Sequence, residues 1–538
     1  MDVHDSHALT RVRTRAAAAA GLLACAILAA CGDGAGRDDP STLVVGQVGD
    51  AIGLDPSHET DGISLNVTSQ VFDTLVRFRP GSFDVVPGIA TSWSASADGR
   101  AWTFVLRPGL RFSDGTPLDA AAVKYNFDRW RLREHPAHGE GGYPYYRSQF
   151  GGSPGDVAAV LAPNRTTLTL RLRRPLAPLL RDLAMPSFGI GSPAAIARDP
   201  AGFGVRPVAS GPYAVAEWVR GDHITLQANP RWSGPKPAYR TVIVRAIPDQ
   251  NTSLLSIQKG DISALANPRP EDVRVLADQA NVRVYEQPSN ALMYVAMNVG
   301  KRPFGDVRVR RAVAYAIDIP SIVRGFYGRG TVVAGNWTPP GMLGENPAVA
   351  AYPYDPARAK ALLASAGLAA GFPTDLYYPT TPRPYMPDPE RLAQAIATDL
   401  GAVGIDVRLE PLEFGAFLRA VRSGEHAMCL AGWTGDDGDP DDFTYPLLDA
   451  DGAVPGSAQN LSFWRDARFH ALMLAGRRAT GERRRRAAYM QANAMIHDQV
   501  PAVAIVHGTV PLVVSRAVAG VIPRPDSILN FERWKPRT

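Results

Sequence analysis

The chain has 538 residues, of which 45% are apolar and 20% are charged, as is ordinary for a globular protein with two or more domains. Its 57 lysines and arginines stand against 52 aspartates and glutamates, which leaves a formal net charge of +5. No block of basic residues stands beside aromatic repeats, so the composition argues against nucleic acid as a partner.

Residues 1–30 have the pattern of a secretory signal peptide. Arg11, Arg13 and Arg15 precede an apolar run, residues 16–30, that is too short to span a bilayer comfortably. Residues 28–31, LAAC, resemble a bacterial lipobox. That resemblance implies cleavage before Cys31, a diacylglyceryl group on its sulfur, and a polar tether over residues 31–40. We therefore expect an exported protein, in the periplasm or at the outer face of the cytoplasmic membrane, held by a lipid anchor.

Two alternatives stay open for this segment. One is an ordinary signal peptide with a leftover Cys31, and the other is cleavage before Cys25, which would leave a short apolar run. If Cys25 is discarded and Cys31 acylated, only Cys429 remains, so the mature chain is expected to contain no internal disulfide.

The chain alternates strands and helices, as α/β domains do. Alternating apolar residues predict strands over 41–48, 165–175, 223–229 and 241–247, and Asp119 is placed to cap a helix over 119–130. The glycine- and tyrosine-rich residues 141–155 are interpreted as a loop.

Past residue 289 the pattern changes to helices that begin with aspartate. Asp306, Asp355 and Asp388 stand at the predicted helix starts, where a carboxylate complements the helix dipole. Strands are predicted between and after them, and the extended residues 501–515 are expected to cross back to the first part of the chain. This order predicts two α/β lobes, with the second inserted before the chain ends.

Residues 87–129 resemble the signature of family 5 extracellular solute-binding proteins of ABC importers. Residues 210–213 (SGPY), 306–318, 354–368 and 432–443 (GWTGDDGDPDDF) match the same family in order. The resemblance implies an α/β fold of the two-lobed periplasmic-binding-protein (Venus-flytrap) type with two hinge crossovers. Lobe I would comprise 41–288 plus 507–538, with 76–204 as an extra subdomain, and lobe II would comprise 289–506.

The same resemblance implies a function. The protein would be a monomeric substrate-binding component that closes around its ligand and delivers it to a membrane permease with separate ATPase subunits. It would carry no cofactor and catalyse no reaction.

The acidic stretch of residues 431–443, AGWTGDDGDPDDF, was tested for other chemistry. An EF-hand frame starting at Asp437 puts Asp442 where glycine is required and Leu448 where glutamate is required, so a metal site is not predicted. Residues 151–155 form a GxSxG string, but they lack the preceding strand that a nucleophile elbow needs.

The dipeptide-binding members of the family suggest a role for two charged residues. By resemblance, Asp436 would pair with the ligand's α-ammonium group and Arg383 with its α-carboxylate. Trp433, Gly435 and Tyr385 lie beside these anchors, and Tyr145 is a further candidate from the tyrosine-rich loop.

The remaining aspartates of the stretch are interpreted as structural. Asp439 is predicted to form a turn, Asp441 and Asp442 to cap the following segment, and Asp437 to be a solvated or turn residue. The predicted ligand is a dipeptide or small peptide. Alternatives are another ligand carried by the family (glutathione, an oligosaccharide, nickel or haem) and, from a different class, a secreted hydrolase.

Overall fold

The structure, a computed structural model, describes residues 39–139, 142–153, 155–286 and 288–537. The predicted signal peptide, Cys31 and nearly all of the tether lie outside these residues. Within them, no helix is both long and apolar enough to cross a membrane.

Strands and helices alternate along the described chain. The strands are β1 (Thr42–Gln47), β2 (Val76–Phe78), β3 (Val85–Pro87), β4 (Ala90–Ala95), β5 (Ala101–Leu106), β6 (Val157–Asn164), β7 (Thr167–Leu172), β8 (Tyr213–Val219), β9 (His223–Ala228), β10 (Thr241–Ala246), β11 (Ala264–Ala266), β12 (Val282–Tyr285), β13 (Pro288–Met297), β14 (Val332–Val333), β15 (Phe372–Pro379), β16 (Ile405–Leu412), β17 (Met428–Thr434), β18 (Ala502–Thr509), β19 (Leu512–Ser515), β20 (Val518–Ala519) and β21 (Lys535–Pro536). The α-helices are α1 (Gly62–Val71), α2 (Ala120–Arg131), α3 (Pro144–Phe150), α4 (Leu179–Asp182), α5 (Pro193–Arg198), α6 (Gln250–Lys259), α7 (Pro270–Ala277), α8 (Val307–Ala316), α9 (Ile319–Phe326), α10 (Pro356–Ser365), α11 (Pro389–Gly401), α12 (Phe414–Ser423), α13 (Pro440–Leu448), α14 (Ala467–Arg478) and α15 (Glu482–Gln499). Short 3₁₀ helices span Pro186–Phe188, Ala450–Gly452 and Phe531–Arg533.

A seven-stranded mixed sheet forms the centre of the first lobe. Its order is β12-β19-β11-β1-β10-β9-β8, with β1 parallel to both β10 and β11. A separate four-stranded antiparallel sheet, β4-β5-β7-β6, packs with α2 and α3 around its own apolar core and forms a subdomain.

A six-stranded sheet, β14-β18-β13-β17-β15-β16, forms the centre of the second lobe. Successive side chains of its central strand β13 point to opposite faces of the sheet, and both faces are covered by helices. Met293, Val295 and Met297 pack on one face, into the core that contains α8 and α11. Leu292 and Tyr294 pack on the opposite face, against α12 and α15.

The chain passes between the two large sheets at two points. The first crossing lies between β12, in the seven-stranded sheet, and β13, in the six-stranded sheet. The second lies between β18 and β19, and it confirms that residues 501–515 cross back. Residue 507, the predicted start of the return to lobe I, falls inside β18, which pairs with β13 as far as Thr509.

The predicted helix caps are confirmed. Asp119 accepts a hydrogen bond from the backbone N–H of Ala121 at the start of α2, and Asp306, Asp355 and Asp388 cap α8, α10 and α11 in the same way. Each carboxylate satisfies a backbone donor that the first turn of a helix leaves free, which typically contributes about 1 kcal/mol.

One predicted loop is wrong in part. Residues 144–150 form helix α3, which begins with Pro144 and ends at Gly151 in the left-handed conformation. Proline suits the first turn of a helix and glycine suits its end, so these two residues bound a helix within the aromatic segment.

Candidate functional site

A cavity of about 230 Å³ lies between the two lobes. From the first lobe it is lined by the N-terminal end of α1, by the segment between β11 and α7, and by Tyr145 of α3. From the second lobe it is lined by residues 382–387, by α12 and by the end of β17. The volume is below the range usual for sites of drug-sized ligands, so the cavity fits a small molecule.

Five of the six predicted site residues line this cavity. They are Tyr145, Arg383, Tyr385, Trp433 and Asp436. The segment that carries Asp436 follows directly on β17 and precedes α13, so the end of a central strand delivers it to the cavity.

Gly435 does not line the cavity but shapes the segment beside it. A Cβ atom at this position would lie 2.3 Å from Cε2 of Phe443, which is fully buried. Its backbone N–H donates to the carbonyl of Asn290 on β13 over 2.8 Å. Glycine is therefore required here for close packing, and its contribution to the site is to position Asp436.

Asp442 holds two residues of the site in place through hydrogen bonds. Its Oδ2 accepts hydrogen bonds from Nε1 of Trp433, at 3.1 Å, and from the backbone N–H of Asp436, at 2.9 Å. Burial raises the pKa of Asp442 to about 7, while these two donors act in the opposite direction. One carboxylate therefore orients the aromatic and the acidic residue of the site together.

The Asp436 carboxylate faces the cavity and is bridged across the lobes. The Tyr145 hydroxyl on α3 donates a hydrogen bond to its Oδ2. Burial and the nearby Asp442 charge raise the pKa of Asp436 well above its ordinary value. The pKa of Tyr145 is raised as well, by burial and by Asp436, so the phenol stays a donor.

Arg383 forms a cationic surface on the cavity wall. Its guanidinium lies over the ring of Phe414, with 3.2 Å between its central carbon and the ring centroid, and the backbone of Arg383 pairs with that of Met386. Burial lowers the pKa of Arg383, and its Nε is buried without a hydrogen-bond partner. The half-buried guanidinium therefore has no ion pair among the described residues, and a bound anion would supply one.

Aromatic residues fill the space around these two charges. The Tyr385 ring lies against the backbone of Gly432, since a Cβ there would come within 2.2 Å of Cδ2. Tyr327 donates to the Tyr385 carbonyl over 3.0 Å, which fixes the turn that carries Arg383. Phe414 was missed from the sequence, because its position 31 residues beyond Arg383 gives no local signal of their stacking.

Asp437 is a turn residue, one of the two alternatives predicted for it, but it is not solvated. Its side chain is 1% exposed, its Oδ1 accepts from the N–H of Asp439 over 2.7 Å, and its Oδ2 has no partner among the described residues. Burial raises the pKa of Asp437 well above its ordinary value. A buried carboxyl in such surroundings holds its proton rather than remain charged.

The other three aspartates are also buried, and two have charged partners. Asp439, which was predicted to form a turn, is the N-terminal cap of α13 and pairs with Arg485 at 2.6 Å. Asp441 lies in the first turn of α13 and contacts Arg477, with 2.9 Å between Oδ2 of the aspartate and Nη1 of the arginine. The prediction that Asp441 and Asp442 cap this segment is wrong, because the helix begins at Pro440 and both residues lie in its first turn.

Arginines hold the acidic stretch against the subdomain of the first lobe. Arg181 of α4 donates to the carbonyls of Asp437, at 3.1 Å, and Gly438, at 2.8 Å. Arg477 donates to the carbonyl of Gln149 over 2.7 Å. Gly438 has a positive φ of 68°, and a Cβ there would lie 2.4 Å from the ring of Phe83, so the loop and the subdomain pack closely.

One group of side chains has spacing suited to a metal ion, and it lies outside the cavity. Ligand atoms of Asp449, Asp451 and His470 lie within 4.8 Å of one another. They already bond within the protein: His470 Nδ1 contacts Asp449 at 2.9 Å, and the Tyr445 hydroxyl donates to Asp451 over 2.6 Å. We assign no ion to this group.

Comparison with known proteins defines the class. The model of the bacterial extracellular solute-binding proteins, family 5 (middle region), matches residues 84–454. The dipeptide-binding protein of Escherichia coli is 33% identical over 505 residues, which cover 91% of this chain and 94% of that protein. Heme-binding protein A of Haemophilus influenzae is 32% identical, with 88% of each chain covered.

Solved structures of binding proteins have the same fold. The periplasmic binding protein DppA of Helicobacter pylori, in complex with the peptide STSA, superposes with a TM-score of 0.85 at 28% identity, covering 92% of this chain and 98% of that one. The chain therefore belongs to the family 5 extracellular solute-binding proteins. The predicted α/β fold with two lobes is confirmed by the same comparison.

Proposed function

We propose that this solute-binding protein captures dipeptides in the cavity between its lobes and delivers them to an ABC permease. The observation that carries the proposal is that a single cavity is lined by both Asp436 and Arg383, with the arginine free of any ion pair among the described residues. The similarity to proteins named for dipeptide binding supports the same ligand class.

The charges match those of a zwitterionic dipeptide. An extended dipeptide carries its ammonium and carboxylate groups roughly 7 Å apart. Enclosure removes water from both groups, so each needs a charged partner that forms hydrogen bonds. Asp436 would receive the ammonium group, and the planar guanidinium of Arg383 would bind both carboxylate oxygens. Tyr385, Trp433 and Tyr145 would form the walls around the peptide.

We propose that the two crossings act as the hinge, with lobe I over 41–285 plus 512–538, its subdomain over 76–204, and lobe II over 288–509. Ligand binding would favour the closed form through contacts with both lobes at once. The bridge from Tyr145 to Asp436 supports this arrangement, since one ligand-binding residue is held by the opposite lobe. The protein would act as a monomer, without a cofactor and without catalysing a reaction.

Ligand identity is tested by a thermal-shift panel on the mature protein. We expect dipeptides to raise the melting temperature, with the increase unchanged by a chelator. Free amino acids, tripeptides, glutathione, an oligosaccharide, nickel and haem form the comparison arms. Stabilisation by one of these ligands and none by dipeptides would overturn the proposal, as would hydrolysis of a bound dipeptide.

Binding is expected to depend on pH through Asp436. Its raised pKa means that the empty site retains a proton to higher pH than a free aspartate does. An ammonium group binds the ionised carboxylate, so binding releases the proton and the affinity falls as the pH is lowered through the raised pKa of Asp436. Calorimetry in two buffers of different ionisation enthalpy would detect the released proton, and an affinity that does not fall as the pH is lowered would contradict the role.

A lipid anchor at Cys31 is the proposed attachment to the membrane surface, following the lipobox resemblance of residues 28–31. We expect the Cys31→Ala variant to leave the membrane fraction or to remain uncleaved, while the wild type incorporates labelled fatty acid. Equal labelling of both proteins would place the modification elsewhere.

A further inference from the structure

The cavity contains a second arginine that a simple dipeptide does not use. Arg422 lines the cavity from the last turn of α12. Phe414 and Leu418 line it from the same helix, and the spacing of four residues places all three on one face. This face forms a continuous wall that begins under Arg383 and ends at Arg422.

Arg422 has no acidic partner in the described part of the chain. No carboxylate there lies within 4.0 Å of its guanidinium, whereas Arg269, another lining arginine, is paired with Asp272 at 2.7 Å. Burial lowers the pKa of Arg422, and the charge of Arg147 lowers it further. The nearby cation therefore adds to the need for an anion at this point.

Three of the acidic residues that line the cavity already interact with other groups, and the fourth is exposed. Asp61 caps α1 through Ser64, Asp436 accepts from Tyr145, and Asp526 is paired with Arg524. Glu286 is exposed at the first crossing between the lobes. A dipeptide with uncharged side chains would use one cation and one anion, which leaves Arg422 without a counter-charge.

The position of Arg422 indicates which end of the ligand it faces. At 1.5 Å per residue, it lies about 12 Å along α12 from Phe414, which carries Arg383. Arg422 therefore lines the cavity at the far end of this wall from Arg383. Because Arg383 would hold the ligand's carboxylate, the first residue of the ligand would sit toward Arg422.

We propose that Arg422 is a specificity-determining residue that binds a carboxylate on the side chain of the ligand's first residue. The preferred ligands would be dipeptides that begin with aspartate or glutamate. This inference rests on the proposed function, because it takes the ligand's orientation from the two anchors.

The test is calorimetry with the matched pair Glu-Ala and Gln-Ala on the full mature chain. We expect wild type to bind Glu-Ala roughly tenfold or more tightly than Gln-Ala, as a hydrogen bond to a charged group predicts. Arg422→Gln should bring the affinity ratio to about one, and Arg422→Lys should retain part of the preference. Arg419→Gln, on the exposed part of α12, is the control and should leave the ratio unchanged.

The other possible results each overturn a stated part of the proposal. Equal binding of the two peptides by wild type, or an unchanged ratio in Arg422→Gln, would overturn this inference alone. A preference confined to Ala-Glu over Ala-Gln would overturn the assignment to the first residue. Failure of both Glu-Ala and Gln-Ala to bind would overturn the proposed function and this inference together.

Discussion

Arg383→Met is expected to weaken dipeptide binding by roughly 100-fold, since leaving a buried charge unpaired costs about 3 kcal/mol or more. Methionine keeps an unbranched side chain over Phe414 but removes the partner of the ligand carboxylate. The lowered pKa of Arg383 shows that its charge is penalised in the empty cavity. The variant should therefore fold as stably as the wild type without ligand and lose affinity only.

The control is Arg391→Met. Arg391 is also an arginine of lobe II, but its side chain is 66% exposed, pairs with Asp388 on the surface and lies over the ring of Phe326. Calorimetric titration of both variants with the same dipeptide separates the effects. Unchanged affinity in Arg383→Met would show that the carboxylate anchor is another residue.

Arg477→Met is expected to destabilise the folded protein by about 3–5 kcal/mol, the usual cost of removing one partner of a buried ion pair. Arg477 is 5% exposed, contacts Asp441 and Gln149, and lies over the Tyr445 ring at 4.0 Å. The attraction of Arg477 also opposes the raised pKa of Asp182, whose two carboxylate oxygens have no hydrogen-bond partner among the described residues. Loss of the guanidinium leaves these carboxyl groups buried without their nearest cation.

The loss of folding stability in Arg477→Met should increase with pH. Burial already raises the pKa of Asp441 to about 6 in the folded protein, above its unfolded value, and this pKa should rise further without Arg477. A group of this kind costs the folded state stability as pH rises, because the unfolded chain releases the proton first. Denaturant unfolding of Arg477→Met at about pH 5 and about pH 8 should show the larger loss at the higher pH. Arg478→Met, at the next position and without an ion pair among the described residues, should change stability little, and an equal loss in both variants would contradict the account.

Local patterns in the sequence were sufficient for the helix starts and for the order of the lobes. Asp306, Asp355 and Asp388 cap their helices because the cap interaction involves residues two or three positions apart, which a sequence displays directly. The return of the chain after β18 followed from the extended apolar run of residues 501–515.

The burial of the acidic stretch could not be predicted in the same way. Its aspartates appear solvated when only their neighbours in sequence are considered, and glycine and proline among them favour a loop. Their surroundings are instead supplied by Arg181 of α4 and by Arg477 and Arg485 of α14 and α15. These partners are distant in the chain, so only the tertiary structure shows that the stretch is packed and hydrogen-bonded.

The stacking of Arg383 on Phe414 has the same origin. Arg383 lies in a proline-rich turn and Phe414 at the start of α12, with helix α11 and strand β16 between them in the chain. The two side chains meet only once the six-stranded sheet has formed. The loop predicted over residues 141–155 was wrong in part for a different reason. Pro144 and Gly151 are both local signals of a short helix. The abundance of glycine around them favoured the loop interpretation.

The proposal that both ends of a dipeptide are held by charge is tested most directly with capped ligands. Ala-Ala, N-acetyl-Ala-Ala and Ala-Ala-amide should be titrated into the wild-type protein by calorimetry. We predict one molecule of Ala-Ala bound per chain, and a loss of roughly 100-fold or more for either capped form, because each cap removes the charge that Asp436 or Arg383 pairs with. Binding of both capped peptides with the affinity of Ala-Ala would contradict the proposed role of these two residues.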